Sequence, residues 1–179
     1  MIKKILLAFV ALIAGLLGFV ALQPADFTVS TTATIPAPPA VVFEHINNLK
    51  KWEAWSPWAK LDPNATKTYD GPAAGTGAAS SWSGNDEMGA GTMTITDSKP
   101  TEHIAMRLDF TRPMAATNTT AFDFKPADGG TAVTWSMSGT NGFIGKVFFL
   151  LLGVEKQLKS QFDEGLANLA NAVKAAPAP

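Results

Sequence analysis

The sequence predicts an α+β fold: one antiparallel sheet laid against a long C-terminal helix, preceded by an apolar N-terminal span. Three observations carry this. Along residues 101–110, Ile104, Met106, Leu108 and Phe110 alternate with His103, Ala105, Arg107 and Asp109, the period of a strand with one buried and one wet face. From Val154 the period changes, and Val154, Leu158, Phe162, Leu166, Leu169 and Val173 follow at helical spacing, the apolar stripe of an amphipathic helix. The order strand, helix, several strands, helix then leaves one sheet face for the last helix to cover.

The first element is the span. After Lys3 and Lys4, residues 5–22 read ILLAFVALIAGLLGFVAL, all apolar or glycine. As a helix these would reach about 27 Å, against a hydrocarbon thickness of about 30 Å. The run exceeds the usual hydrophobic stretch of a secretory signal, and neither Ala21-x-Gln23 nor Gln23-x-Ala25 supplies a small-x-small cleavage pair. An uncleaved single-pass anchor over residues 1–23 is therefore favoured over a cleaved signal. Lys3 and Lys4 precede the span, so the positive-inside rule leaves the domain, residues 24–174, on the periplasmic or extracytoplasmic side of the cell membrane.

Residues 26–34 (DFTVSTTAT) are rich in β-branched side chains and predict the first strand, ended by Ile35-Pro36. Pro38 and Pro39 suit a first helical turn, which has no use for the N–H they lack, and Val42, Phe43 and Ile46 share a face, so a helix is expected from about Pro38 to Asn48. Met93 and Ile95, Phe122 and Phe124, and Val133, Trp135 and Met137 repeat the strand period, and Asp128-Gly129-Gly130 supplies a tight turn between the last two strands. The segment GPAAGTG, residues 71–77, lacks the Lys-Ser/Thr and helix of a phosphate loop and reads as a strand connector. Phe143 to Gly153 is apolar around most of its circumference; a buried helix end and a mobile gate that rests against the bilayer, hinged at Gly153, both satisfy it. Residues 175–179 read as a disordered tail.

Composition narrows the function. Lys and Arg total 14 against 15 Asp and Glu, and without Lys3 and Lys4 the balance is 12 against 15, a net charge of −3. No basic face for nucleic acid is indicated. There is no cysteine, which excludes disulfides, thiolate metal sites, a cysteine nucleophile and a lipidated N-terminal cysteine. His45 and His103 stand apart with no HExxH or carboxylate cluster, so no metal, cofactor or catalytic set is expected. Glu44, Asp70, Glu87, Arg107 and Asp109 are the visible polar options, and alternation turns Arg107 and Asp109 outward, leaving no convergent group.

The chain resembles a known family over about Asp26 to Lys174. The resemblance rests on the opening strand followed by IPAPPAVVFEHINN, then KKWEAWSPWAKLDPNATKTYDGPAAGTGAASSW, GAGTMTI, the ITDSKPTEHIAMRLDF pair and a terminal QFDEGLANLA helix. It is similar to the START-like superfamily, SRPBCC, in its bacterial polyketide cyclase/dehydrase and lipid-transport branch. That resemblance implies a helix-grip fold, in which a curved sheet wraps the C-terminal helix and encloses an apolar cavity for a hydrophobic small molecule or lipid. The inward positions Trp82, Met93, Ile95, Met106, Leu108, Phe110, Phe122, Phe124, Trp135 and Met137, with Leu158 and Phe162 from the helix, are the expected lining. Trp52, Trp55 and Trp58 read mainly as packing, with Trp55 assigned to the cavity wall as a rigid face carrying an indole N–H. The same residues leave two rival functions open: a cyclase or aromatase using the cavity to fold a reactive chain, and a cell-envelope interaction module with the cavity filled by its own side chains.

Overall fold

The computed structural model describes residues 1–175. Helix α1 (Ile2–Leu22) is followed by strand β1 (Asp26–Ile35), helix α2 (Pro39–Asn47), two short 3-10 turns (Leu49–Ala54 and Pro57–Lys60), strands β2 (Thr66–Asp70), β3 (Ala79–Ser83), β4 (Ala90–Lys99), β5 (His103–Arg112), β6 (Ala116–Ala127) and β7 (Gly130–Thr140), then helices α3 (Phe143–Leu151) and α4 (Val154–Ala175). The expected tail lies outside the described residues, except Ala175, which closes α4. The strands form one antiparallel sheet in the order β1-β7-β6-β5-β4-β3-β2, and β1 lies along α4, with the Thr31 hydroxyl donating to the Asp163 carboxylate. This is the helix-grip arrangement.

Register shifts between β4 and β5, at Ala90/Gly91 and at Ile95/Asp97, each insert an extra residue into one strand, which bends it and sharpens the local twist. The sheet thereby curls over α4. Its concave face is built of inward rows that run across the strands: Phe27, Gly139, Asn118, Leu108 and Met93 in one, Val29, Met137, Thr120, Met106 and Ile95 in the next, and Thr31, Trp135, Phe122 and Ile104 in a third.

The third row meets α4 most closely. Trp135 stacks on Phe162 with centroids 4.3 Å apart and planes 12° from parallel. Gly165 permits this: a Cβ there would stand 2.6 Å from the Trp135 ring, well inside contact distance.

The tryptophan segment shows why three indoles follow α2. Carbonyls in the last turn of a helix lack intrahelical partners. Trp55 Nε1 donates to the His45 carbonyl at 3.3 Å, Trp52 Nε1 donates to that of Ile46 at 2.8 Å, and the Gly75 N–H donates to that of Asn47 at 3.2 Å. The indoles and the GPAAGTG connector thus cap α2 while their rings pack the core. Trp52 and Trp55 are buried and Trp58 half-buried, on two separate 3-10 turns instead of one helical face.

Candidate ligand cavity

Between the concave sheet face, α3, α4 and the 3-10 turns lies a cavity of about 380 Å³. Its sheet wall comes from the rows nearest the β5–β6 turn: Met93, Leu108, Phe110, Trp82 and Phe27, then Met137 and Trp135. Its helical wall is Phe149 of α3 with Val154, Leu158 and Gln161 of α4, and Leu49, Trp52 and Trp58 close a side.

The cavity exists because the helical layer parts from the sheet at this end. Toward the C-terminus, Phe162, Leu166 and Leu169 are fully buried against the sheet, whereas Leu158 and Val154 are only half-buried. Gly153, at φ +63°, then breaks the helix in a conformation that favours glycine, and α3 leaves in a new direction. Two glycines at inward strand positions make further room. A Cβ at Gly139 would fall 2.1 Å from Asn118 Oδ1 and 2.9 Å from the Phe27 ring, and one at Gly91 would fall 2.7 Å from the Trp82 ring.

Of the residues expected to line the cavity, Trp82, Met93, Leu108, Phe110, Trp135, Met137 and Leu158 stand on its wall. Trp55, Ile95, Met106, Phe122, Phe124 and Phe162 do not: all six are buried in the core cluster, in or around the rows that α4 and the 3-10 turns already cover. Both groups share the inward side of their elements, and place along the strands and across the sheet separates them: Met137 reaches the wall where Met106 of the same row does not, and Trp135 where Phe122 does not. Trp55 in particular spends its indole N–H on the His45 carbonyl, so Trp52 and Trp58 supply the wall that it was expected to form.

Trp52 and Trp58, read from the sequence as packing, stand on the wall, and so do Phe27 and Phe149, which the pattern did not single out. Phe27 was legible from the alternation Phe27, Val29, Thr31, Ala33, Ile35; Phe149 was not, because α3 is apolar around most of its circumference.

Charge stands among the lining as Glu53, Lys67, Glu87 and Arg112. Lys67 Nζ pairs with Glu53 at 2.6 Å, and Arg112 donates to the Ser83 hydroxyl and the Gly84 carbonyl, both at 3.0 Å. Tyr69 donates to Glu53 at 3.2 Å, and partial burial, with the Glu53 charge and hydrogen bond adding to it, raises its phenol above the ordinary range. Inside, Trp135 Nε1 donates to Thr120 Oγ1 at 2.8 Å, which in turn donates to the Ser136 carbonyl at 2.8 Å. Among the described residues every buried side-chain nitrogen and oxygen has a partner, and no three His, Asp or Glu side chains gather as metal ligands.

The other polar candidates sit elsewhere. Glu44 pairs with Lys51, and Asp70 is exposed at the end of β2. His103 meets Asp123 at 2.8 Å across β5 and β6, while His45 Nδ1 bonds the Val41 carbonyl at 2.9 Å. Asp109, on the outer sheet face, accepts from Thr117 Oγ1 at 2.9 Å and from Arg107 Nε at 2.7 Å, and these bonds, Thr117's first, hold its carboxyl below the usual range. A lowered folded pKa favours the fold above the unfolded value, about 3.9, and that contribution is lost as pH falls through the folded one. Thr117→Val is expected to move the Asp109 pKa up toward its ordinary value in a carboxyl NMR titration; an unmoved pKa would remove Thr117 as the cause.

A curved sheet gripping a terminal helix over an apolar cavity is the architecture of START-like proteins, and this chain is one of them. It belongs to the polyketide cyclase / dehydrase and lipid transport family, which matches residues 26–174. Among solved structures, it is similar to protein CV1439 from Chromobacterium violaceum at TM-score 0.61 and 14% identity, covering 83% of this chain and 98% of that one. Protein MLL2253 from Mesorhizobium loti gives TM-score 0.62 at 13% identity, covering 85% of this chain and 100% of that one. The di-domain ARO/CYC BexL from the BE-7585A biosynthetic pathway gives 0.64 at 15% identity, covering 88% of this chain and 53% of that one. No curated protein matches the chain. At these identities the likeness is one of fold, and fold alone does not assign an activity.

Proposed function

We propose that the protein binds an apolar or amphipathic small molecule, such as a lipid, in the cavity between sheet and α4, and that α1 tethers it to the cell membrane with the domain on the extracytoplasmic side. The observation that carries the reading is the cavity: about 380 Å³, within the range of small-molecule sites, with a mainly apolar wall and, of its four charged groups, Lys67 and Glu53 paired and Arg112 hydrogen-bonded. Binding would come from removing apolar surface from water, at about 25 cal/mol per Å². The half-buried Met93 and the buried Met137 suit such a ligand, because a thioether chain adapts to irregular shapes. Lys67 and Arg112 offer cations to a polar end.

The tether is supported by α1, which among the described residues is the one helix long and apolar enough to cross a membrane, and by Lys3 and Lys4 in its first turn, ahead of the apolar run. The test is native mass spectrometry of the full chain, purified from membranes and released from detergent, with lipid extraction alongside. A defined apolar adduct is expected. A bare mass, with no binding to a lipid panel, would overturn the reading, and conversion of an adduct to a product would favour the enzyme.

A further inference from the structure

We infer that α3 is a second membrane contact: it lies in the lipid interface with its apolar side against the bilayer, so that the cavity's α3 wall is the wall facing lipid. This deepens the proposed function and rests on α1 being an anchor. Helix α3 (FIGKVFFLL) contains no buried residue, which goes against the first of its two readings, a buried helix end. Ile144, Phe148, Leu151 and the adjoining Leu152 are 59%, 40%, 54% and 64% exposed. A soluble surface does not ordinarily carry such a patch, and a contiguous one marks a contact.

The occupant follows from what adjoins it. The sole cation of α3, Lys146, donates to the carbonyls of Ala21 at 3.2 Å and Gln23 at 2.6 Å, at the C-terminal end of α1, where free carbonyls and the helix dipole favour a positive charge. Spent there, the lysine leaves the exposed side of α3 without charge. The same bonds fix α3 at the level where α1 ends. At 1.5 Å per residue the apolar run 5–22 of α1 reaches about 27 Å, close to the about 30 Å of the hydrocarbon core, so its last turn lies at the interface and α3 lies there with it. The β5–β6 turn at this same end of the sheet exposes Met114.

On its inner side α3 turns Phe149 onto Phe27, with centroids 4.5 Å apart, and both rings line the cavity. One helix therefore separates the cavity from the apolar patch. Gly153, in a left-handed conformation with open space around it, joins α3 to α4.

The absence of cysteine makes the test clean. Single nitroxide labels at Ile13→Cys, Ile144→Cys, Leu151→Cys and Asp128→Cys are read in the full chain, reconstituted in phosphatidylethanolamine–phosphatidylglycerol vesicles, by collision with oxygen and with a water-soluble nickel chelate. Oxygen is expected to dominate at 13, 144 and 151, with 144 and 151 at shallower depth, and nickel at 128, in the turn at the far end of the sheet. Nickel access at 144 and 151 with lipid contact at 13 would overturn the interfacial helix and leave the anchor standing. Nickel access at 13 would overturn the anchor, and the inference with it. Labels at 144 and 151 shielded from both reagents, or broadened by a second copy, would replace lipid with protein and also overturn it.

Discussion

Tryptophan placed at both Met93 and Leu158 is expected to abolish the apolar adduct predicted for the protein while leaving it folded. Met93 stands on the sheet wall and Leu158 on the facing helix, both half-buried, so two indoles would take up the space between them without displacing a packed neighbour. Overpacking costs about 1–3 kcal/mol in a filled core, and here the added rings enter a cavity. Adduct occupancy in native mass spectra is expected to fall at least about tenfold, which corresponds to about 1.4 kcal/mol of binding, with thermal unfolding little changed. Retention of the adduct by the folded variant would locate the molecule elsewhere, with the α3 patch as the first place to look.

Trp135→Ala should be the most damaging single substitution in the domain. Trp135 is 1% exposed, stacks on Phe162, lies 4.8 Å from Phe122, and meets the edges of Trp52, Trp55 and Trp58 at 6.0, 5.7 and 5.8 Å. Aromatic pairs add to the apolar area they bury, and truncating a buried aromatic costs about 3–5 kcal/mol. For a domain of this size that is a fall in Tm of roughly 6–20 °C. Removing the indole also leaves Thr120 Oγ1 without its donor. Circular dichroism melts of the full chain, with Trp82→Ala as comparison, would measure it. Trp82 is half-buried and contacts Phe110 edge-on at 5.8 Å, so its loss should cost clearly less. Equal losses would mean that the stack on Phe162 does not hold helix to sheet.

These two substitutions act on neighbouring parts of one inward face, and the difference between them is what separates core from cavity. It follows place on the sheet, along the strands and across them, not strand periodicity. Met93 and Leu108 share a row with Phe27 at the end where α4 parts from the sheet; one row deeper, Ile95 and Met106 are fully buried while Met137 still reaches the wall. A binding molecule and a protein core make the same demand on a side chain, that it be apolar and face inward, so alternation could not divide them.

What the sequence by itself determined is therefore the set of elements and their faces. Period two gave the inward side of β4 to β7, the four-and-three spacing gave the stripe of α4, and the long apolar run gave α1, because each of these is dictated by local geometry and by burial of one side. The helix-grip class followed from their order together with the resemblance. What only the tertiary structure decided is where the layers part. The close approach of Gly165 to Trp135, the turn at Gly153 and the Lys146 tie to the end of α1 join residues far apart in the chain, and together they open the space beside Leu158 and bring α3 alongside it. Local periodicity carries no record of such distances, which is why the cavity's existence was implied by resemblance while its position had to be seen.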